Sequence, residues 1–420
     1  MAKKIIFLLL ILLVFTATIF AQGENLTIKV AVMGPGDELY FWWGHIALII
    51  EDSARGTSEF YDYGLFSFDN ENFYYNFAFG RLLYSCGVSP AEWNIHQYIS
   101  TNRDITIYTL DIPPEKKIEV KEFADFNVRP ENRDYFYHHF KDNCSTRIRD
   151  IVDLITDGQF YRQYGNAHGS FTFRQQVRRH TWFSPAGDWF LSFLMGQGID
   201  TPITVWEEMF LPAEVGKRMD EFWYTDSNNV RRKLVSSAET VYKAKNRPAV
   251  LDVPRIQWNR ELIFSLALSL VFGFFIFLQI KKIRAGFMLF GISACLCSLF
   301  LGLAGLLIFF MGLFTNHDYS YHNMNMIFCT PLLLAAVPYS IRYALTKDND
   351  KRITYDALIR IIWLLSVIGI LISMILKLLP WFYQKNLTDQ MLMLPIALVF
   401  AFNPVGLREF AQKYLKKEKV

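Results

Sequence analysis

The stretch Lys141-Asp142-Asn143-Cys144-Ser145-Thr146-Arg147-Ile148 places a cysteine where the chain turns into a helix. Asp142 and Asn143, directly before the cysteine, are good helix caps. Apolar residues follow at helical spacing, namely Ile148, Ile151, Val152 and Ile155. A cysteine in the first turn of a helix feels the positive end of the helix dipole, which favours the nucleophilic thiolate. The stretch therefore predicts a reactive thiol at a helix start, provided that the chain supplies a base.

The composition differs between the two halves of the chain. Of the 420 residues, 52% are apolar and 38 are Phe, which is high for a soluble protein. The net charge of +3 is too small to indicate a nucleic-acid partner. Up to about residue 255 the sequence is typical of a mixed globular domain, whereas beyond it long apolar blocks alternate with short charged loops. We therefore expect two domains of different kinds.

Residues 1–21 have the pattern of a secretory signal. Lys3 and Lys4 precede an apolar core over 5–15, and smaller residues follow as far as Ala21. Ile19 is not ideal before a cleavage site, so an uncleaved anchor remains an alternative. In both cases the segment after Gln22 is exported.

The segment 22–255 predicts an α+β domain. Strand-like runs of β-branched and aromatic residues lie at 27–32, 45–50, 59–63 and 105–110, and helix-like runs lie at 115–126 and 145–156. Residues 158–230 are rich in Phe, Trp, Gly and Pro without a clear period, and no element is predicted there.

The segment 256–420 predicts about five membrane-spanning helices. Apolar blocks lie at 261–280, 287–313, 326–345, 357–380 and 391–405, each near the ~20 residues that cross a bilayer. With the exported domain outside, the cytoplasmic loops and tail carry most of the loop cations, namely Lys281, Lys282, Arg284, Arg342, Lys347, Lys351, Arg352, Lys413, Lys416, Lys417 and Lys419. This distribution follows the positive-inside rule.

The candidate base is His45, which opens an apolar strand directly after Gly44. Cys–His catalysis requires the thiol and the imidazole in contact and a third polar group to orient the ring, in any sequence order. Asp62, on the next predicted strand, is the candidate for this third group. The alternatives are a histidine that only fills the core and a carboxylate that only ends a turn.

Several motifs resemble those of the Lnb-type lipoprotein N-acyltransferases: Gly44-His45, Tyr61-Asp62-Tyr63-Gly64, the stretch 143–150 and Phe210-Leu211-Pro212. The order of an exported domain and several transmembrane helices is also similar, so the resemblance covers nearly the whole chain. Asn143-Cys144-Ser145-Thr146-Arg147 is its specific part. A histidine on an early strand and an Asn-Cys at a later helix start also resemble the permuted papain-like fold of lecithin:retinol acyltransferase-like enzymes.

The resemblance implies a permuted papain-like (NlpC-type) extracytoplasmic domain followed by an all-α multi-pass transmembrane domain. It implies an enzyme of the inner (cytoplasmic) membrane whose catalytic domain faces the periplasm. Cys144 would take an acyl chain from a membrane phospholipid as a thioester, and His45, oriented by Asp62, would move the protons. The acceptor would be the N-terminal amine of a diacylglyceryl-cysteine lipoprotein. We expect no cofactor, and we expect substrate contacts from Trp43, Asn143, Arg147, His317 and Asn323.

The outer loop 315–325 is unusually polar for a connection between apolar blocks. It could close over the active site or bind the acceptor, although a solvated loop is the simpler interpretation. His317, Asp318 and His322 could bind a metal, but no fourth ligand supports such a site, and we predict none.

Two other functions remain open from the sequence. Cys295, Cys297 and Cys329 lie in membrane blocks, which leaves Cys86 and Cys144 as an even pair in an exported domain. Such a pair could form a disulfide, and the protein would then be a non-enzymatic membrane sensor. A membrane-anchored NlpC-type cysteine peptidase or amidase acting on cell-wall material would use the same Cys–His pair. Five membrane crossings argue against that enzyme.

Overall fold

The computed structural model describes residues 23–69, 71–255 and 258–414. These residues form two compact units. The first, within 23–180 and 202–251, is an α+β domain, and the second, within 181–201 and from 252 onward, is helical. The predicted signal segment 1–21 and the cations at 416, 417 and 419 lie outside the described residues.

A seven-stranded antiparallel sheet is the centre of the first unit. Its strands are β1 (Leu26–Met33), β2 (His45–Asp52), β3 (Thr57–Leu65), β4 (Leu83–Pro90), β5 (Ile105–Leu110), β6 (Asp134–Phe136) and β9 (Val235–Tyr242). They are arranged in the order β6-β4-β3-β2-β1-β5-β9. A separate hairpin pairs β7 (Trp223–Thr225) with β8 (Arg231–Lys233). The four predicted strands correspond to β1, β2, β3 and β5.

Both faces of the sheet are covered, which explains the continuous apolar run of β2. Residues 46–50 are all buried. Ile46, Leu48 and Ile50 belong to the core under the helix that begins at Cys144, whereas Ala47 and Ile49 belong to a second core on the opposite face. Alternate side chains of a strand point to opposite faces, so a central strand with two covered faces is apolar throughout.

The helices of the first unit surround this sheet. They are α1 (Phe73–Ala78), α2 (Ala91–Ser100), α3 (Pro114–Asn127), α4 (Cys144–Ile155), α5 (Gln159–Tyr164), α6 (Phe173–Thr181), α8 (Val205–Glu208) and α9 (Pro212–Glu221). The helix between α6 and α8 in sequence, α7 (Pro185–Leu194), belongs to the second unit. The predicted helices at 115–126 and 145–156 correspond to α3 and α4. The apolar face of α4 is buried against the sheet as predicted.

The second unit contains five candidate membrane spans among the described residues. Its helices are α7 (Pro185–Leu194), α10 (Trp258–Ile280), α11 (Arg284–Phe314), α12 (Ala336–Leu345), α13 (Asn349–Leu376), α14 (Leu387–Ala401) and α15 (Pro404–Tyr414). The third span, Met324–Leu345, begins with short 3₁₀ turns, and the fifth, Leu387–Lys413, is interrupted before Pro404. The predicted α+β domain followed by an all-α membrane domain is confirmed.

The boundary between the units is close to the predicted residue 255, but one segment differs. Residues 181–201, expected in the exported domain, belong to the second unit. The reason is apolar packing, because Trp189, Phe193 and Leu194 of α7 join the core of that unit. Sequence position alone does not reveal which of two cores buries a short amphipathic helix.

Candidate active site

Gly44 sets the position of His45 at the start of β2. Its φ is +83°, and a Cβ added there would lie 2.7 Å from the carbonyl oxygen of Met33. Only glycine adopts this conformation without strain and tolerates such a close backbone contact. The backbone conformation therefore requires the glycine of the Gly-His motif, and this conformation places His45 at the start of the buried strand.

His45 and Asp62 are hydrogen-bonded. Nε2 of His45 lies 2.6 Å from Oδ1 of Asp62, and the two side chains are 15% and 12% exposed. Burial lowers the pKa of His45, but the Asp62 carboxylate, with smaller contributions from Tyr98 and Cys144, outweighs burial. The pKa of the imidazole therefore lies well above 6.5. A buried histidine that stays protonated beside a carboxylate is a pattern found at catalytic sites.

The ring of Tyr98 lies against the imidazole of His45. The two ring centroids are 6.3 Å apart, with an interplanar angle of 26°. Burial raises the pKa of Tyr98, so its phenol stays neutral. Tyr98 and Asp62 together restrict the orientation of the imidazole.

Cys144 is the first residue of α4 and is 7% exposed. Asn143 and Thr146 form a capping box, in which the Asn143 side chain accepts from Thr146 N at 2.9 Å and Thr146 Oγ1 accepts from Asn143 N at 2.8 Å. An electrostatic interaction with Cys144 is among the effects that raise the pKa of His45. The predicted helix start at Cys144 is present, and the pairing of its thiol with His45 stays a prediction.

The side chain of Asn143 is hydrogen-bonded to the protein on both its oxygen and its nitrogen. Its Nδ2 donates to the carbonyl oxygens of His139 at 2.8 Å and Phe210 at 3.0 Å. The residue is 4% exposed, and both its side-chain oxygen and its nitrogen bond the protein. Asn143 thus caps α4 and links its start to the Phe210-Leu211-Pro212 motif, and its predicted contact with substrate stays a prediction.

Arg147 is also held by the protein. Its Nε and Nη2 donate to the Asp142 carboxylate at 2.6 and 2.7 Å, and its guanidinium carbon lies 4.2 Å from the centroid of the Tyr135 ring. This bidentate pair fixes the turn that precedes Cys144. The predicted substrate contact of Arg147 stays a prediction.

The sequence did not single out Arg103, although it lies at the site. It is 1% exposed, and its guanidinium carbon lies between two rings, 4.4 Å from the Phe41 centroid and 4.8 Å from that of Tyr98. Nε donates to Gly34 O at 2.9 Å, whereas buried Nη2 has no hydrogen-bond partner among the described residues. Burial lowers the pKa of Arg103 below its usual value, and electrostatic interactions with Tyr98 and Cys144 only partly oppose this effect.

Two other buried donors are unpaired, one close to His45 in sequence and one that interacts electrostatically with Cys144. Trp43, a predicted substrate contact, has a buried Nε1 without a hydrogen-bond partner among the described residues, and so does the hydroxyl of Tyr135. Burial raises the pKa of Tyr135 well above its usual value, and the charge of Cys144 adds to this effect. Unpaired buried donors are costly and indicate a missing partner, such as a substrate.

Cys86 and Cys144 are free thiols in the structure, as are the other three cysteines. Burial raises the pKa of Cys86 to about 12. Cys86 is therefore an inert core thiol, and the disulfide that would have supported a non-enzymatic sensor is not formed.

Two family models match the chain. The one described as the Lnb N-terminal periplasmic domain matches residues 17–178, and the one described as the Lnb transmembrane domain matches residues 261–401. The chain belongs to the family of Lnb-type lipoprotein N-acyltransferases. In the same comparisons it matches no curated protein and no solved structure. His45, Asp62 and Cys144 all lie within the periplasmic match.

Family membership and the five spans make the chain a multi-pass membrane protein with a periplasmic N-terminal domain. His317 and Asn323, two further predicted substrate contacts, lie in its second unit. His317 is 6% exposed and its Nδ1 lies 2.8 Å from the hydroxyl of Tyr319. Asn323 is 8% exposed and donates to Phe193 O at 2.8 Å.

The segment 315–325 is thus packed into the second unit, and its interpretation as a solvated loop was wrong. Its side chains bond one another and residues distant in sequence; Gln384 Nε2, for example, donates to Asn323 Oδ1 at 3.2 Å. These contacts hold His317 and Asn323 within the second unit. Their predicted substrate contacts stay predictions. Within the described ranges, no three His, Cys, Asp or Glu side chains are grouped so as to bind a metal.

Proposed function

We propose that this protein moves an acyl chain from a membrane phospholipid, through a Cys144 thioester, to the N-terminal amine of diacylglyceryl-cysteine lipoproteins at the inner membrane. The observation that carries the proposal is the buried His45–Asp62 pair, 2.6 Å apart, beside a cysteine that begins a helix. Membership of the Lnb family supports the choice of these substrates.

The first half-reaction forms the thioester. The Cys144 thiolate attacks the ester carbonyl carbon, while the thiol proton resides on His45. The tetrahedral oxyanion then collapses, the C–O bond to the glycerol oxygen breaks, and this oxygen takes the proton from His45. The products are an acylated Cys144 and a lysophospholipid.

The second half-reaction forms the amide. The α-amine of the acceptor attacks the thioester carbonyl, and His45 accepts one of its protons. The C–S bond breaks, the Cys144 thiolate leaves, and the N-acylated lipoprotein is released. The proton on His45 restores the starting protonation state of the pair.

The surrounding residues support this chemistry. The raised pKa of His45 keeps the proton available for the leaving glycerol oxygen. Arg103 Nη2 and Trp43 Nε1 are buried and unpaired, and hydrogen-bond donors of this kind stabilise an oxyanion effectively in a dry site. Burial of Cys144 limits hydrolysis of the thioester.

A cysteine peptidase acting on cell-wall material has no specific observation in its favour. The family models match both the periplasmic and the transmembrane parts, and a transmembrane part suits lipid substrates. The permuted papain-like relationship of the first unit stays a prediction.

The test is replacement of the nucleophile and of the base. Cys144→Ser and His45→Ala, expressed in a host without other lipoprotein N-acylation, are expected to leave the N-terminal mass of a reporter lipoprotein at the diacyl value. Cys86→Ser is the matched control and should leave N-acylation intact, because Cys86 is a buried core thiol. N-acylation of the reporter by Cys144→Ser would contradict the proposal.

A further inference from the structure

The second unit contains a large apolar cavity that the proposed chemistry does not use. Its volume is about 600 Å³, within the ~300–1,000 Å³ that ligand sites occupy. It is lined by side chains from α7, α10, α11 and α14, among them Trp189, Phe264, Leu268, Phe300 and Ile396. Such a lining suits an acyl chain.

The lining of the cavity also includes two charged residues. Arg260 and Glu261, in the first turn of α10, also line it, and Arg260 Nε donates to Glu261 Oε1 at 2.9 Å. Glu261 is 6% exposed, and its other oxygen, Oε2, is buried without a hydrogen-bond partner among the described residues. A buried carboxylate oxygen without a donor is costly, so this oxygen indicates a missing donor.

Along α10, the charged lining residues of the cavity come first and the apolar ones follow. Glu261 and Leu268 are seven residues apart, which corresponds to about 10 Å of helix rise. A ligand that fills the cavity would thus have a charged group near Glu261 and a hydrocarbon part extending past Leu268. This is the layout of a lipid.

We propose that this cavity binds a zwitterionic aminophospholipid, with its primary ammonium donating to Glu261 Oε2 and its phosphate bound by Arg260. The Arg260 side chain is 37% exposed, so its guanidinium is accessible to a phosphate. The pair presents one positive and one negative charge, which complements a phosphoethanolamine headgroup. A phosphocholine headgroup has no N–H to donate, and phosphoglycerol has no cation.

One acyl chain of the lipid would occupy the apolar part of the cavity. Use of the bound lipid as acyl donor rests on the proposed function, whereas its binding does not.

The test uses the full chain carrying Cys144→Ser, so that no turnover consumes the lipid. Phosphatidylethanolamine with a photoreactive acyl chain is crosslinked to the solubilised protein, and labelled peptides of α10, α11 and α14 are quantified by mass spectrometry. We expect unlabelled phosphatidylethanolamine to compete far better than phosphatidylcholine or phosphatidylglycerol. Glu261→Gln should weaken this competition about tenfold, since the charged acceptor of the ammonium is replaced by a neutral one.

A second pair of variants keeps the test informative if Glu261→Gln misfolds. Leu296 lines the cavity, whereas Leu299, one turn further along α11, does not, and both side chains are exposed. Leu296→Trp should therefore reduce labelling at least fivefold, and Leu299→Trp should leave it unchanged. Equal labelling in both variants would overturn the proposal, because the cavity would then hold only bulk lipid.

Two further outcomes are informative. Equal competition by the three phospholipids would overturn the headgroup assignment, and so would stronger competition by a diacylated lipopeptide with a free amine. If Cys144→Ser still acylates lipoproteins while labelling depends on Glu261, the proposed function fails and this inference stands.

Discussion

Nε2 of His45 lies 2.6 Å from Oδ1 of Asp62, although the two residues are 17 positions apart in sequence. The contact arises because β2 and β3 are adjacent antiparallel strands in which Ala47 pairs with Asp62. Both side chains are largely buried, so the carboxylate acts on the imidazole through a medium that screens charge poorly. This contact is the largest of the effects that oppose burial and raise the pKa of His45.

Asp62→Asn is expected to move the pH dependence of the reaction. In the wild type the raised pKa of His45 keeps the imidazole protonated above pH 6.5, and the protonated form is lost only as the pH rises through the folded-state value. Without the carboxylate, burial dominates and the pKa of His45 falls. The alkaline limb of the rate of Cys144 acylation should therefore shift to lower pH, as measured by single-turnover mass spectrometry.

Asp134→Asn is the control for this shift, because Asp134 is half exposed and pairs only with Arg133 among the described residues. It should leave the pH profile unchanged. An Asp62→Asn profile that coincides with the wild type would contradict the assigned effect of the carboxylate.

Arg103→Met is expected to slow the alkylation of Cys144. Arg103 carries a buried positive charge that interacts with Cys144, and without it iodoacetamide should alkylate the cysteine about tenfold more slowly at about pH 7. The melting temperature should also fall, because Met cannot donate to the carbonyl oxygen of Gly34. Arg103→Lys should retain more reactivity than Arg103→Met. Unchanged alkylation in Arg103→Met would exclude this role.

Asn143→Ala is expected to destabilise the periplasmic unit. The variant loses the cap of α4 and leaves the carbonyl oxygens of His139 and Phe210 without this donor. We expect a cost of about 3 kcal/mol in the free energy of unfolding, measured as a fall in melting temperature. Asn143→Asp retains an acceptor for Thr146 N and should recover part of the loss. A stable Asn143→Ala protein with weakened acceptor binding would instead restore the substrate-binding role.

The sequence predicted those parts of the fold that depend on local patterns. Central strands such as β1 and β2 are apolar along their length, and the membrane blocks have a length that only a bilayer explains. The strand β9 was missed because it carries Ser, Thr and Glu at exposed positions and has almost no buried face. It pairs with β5, which lies more than 120 residues earlier in the sequence. Ser236 and Thr109, for example, are hydrogen-bonded across this pair and are 127 residues apart.

The site could be predicted only in part for the same reason. His45, Asp62 and Cys144 lie in motifs with a chemical meaning, whereas Arg103 differs from the other cations only in its tertiary surroundings. The polarity of residues 315–325 indicated exposure to solvent. Burial of polar side chains is favourable only when partners are present, and those partners, such as Gln384, lie in other helices or loops.

Asn323→Ala distinguishes a structural from a substrate-binding role for this segment. Asn323 donates to the carbonyl oxygens of Phe193 and Leu194 and accepts from Gln384, all within the second unit. Loss of these buried hydrogen bonds should lower the melting temperature of the transmembrane unit by several degrees, with a cost of about 2 kcal/mol. The KM for the lipopeptide acceptor should stay the same at temperatures where the variant is folded. Asn316→Ala, in the same segment, serves as the comparison. A raised KM with an unchanged melting temperature in Asn323→Ala would show that the amide contacts the acceptor after all.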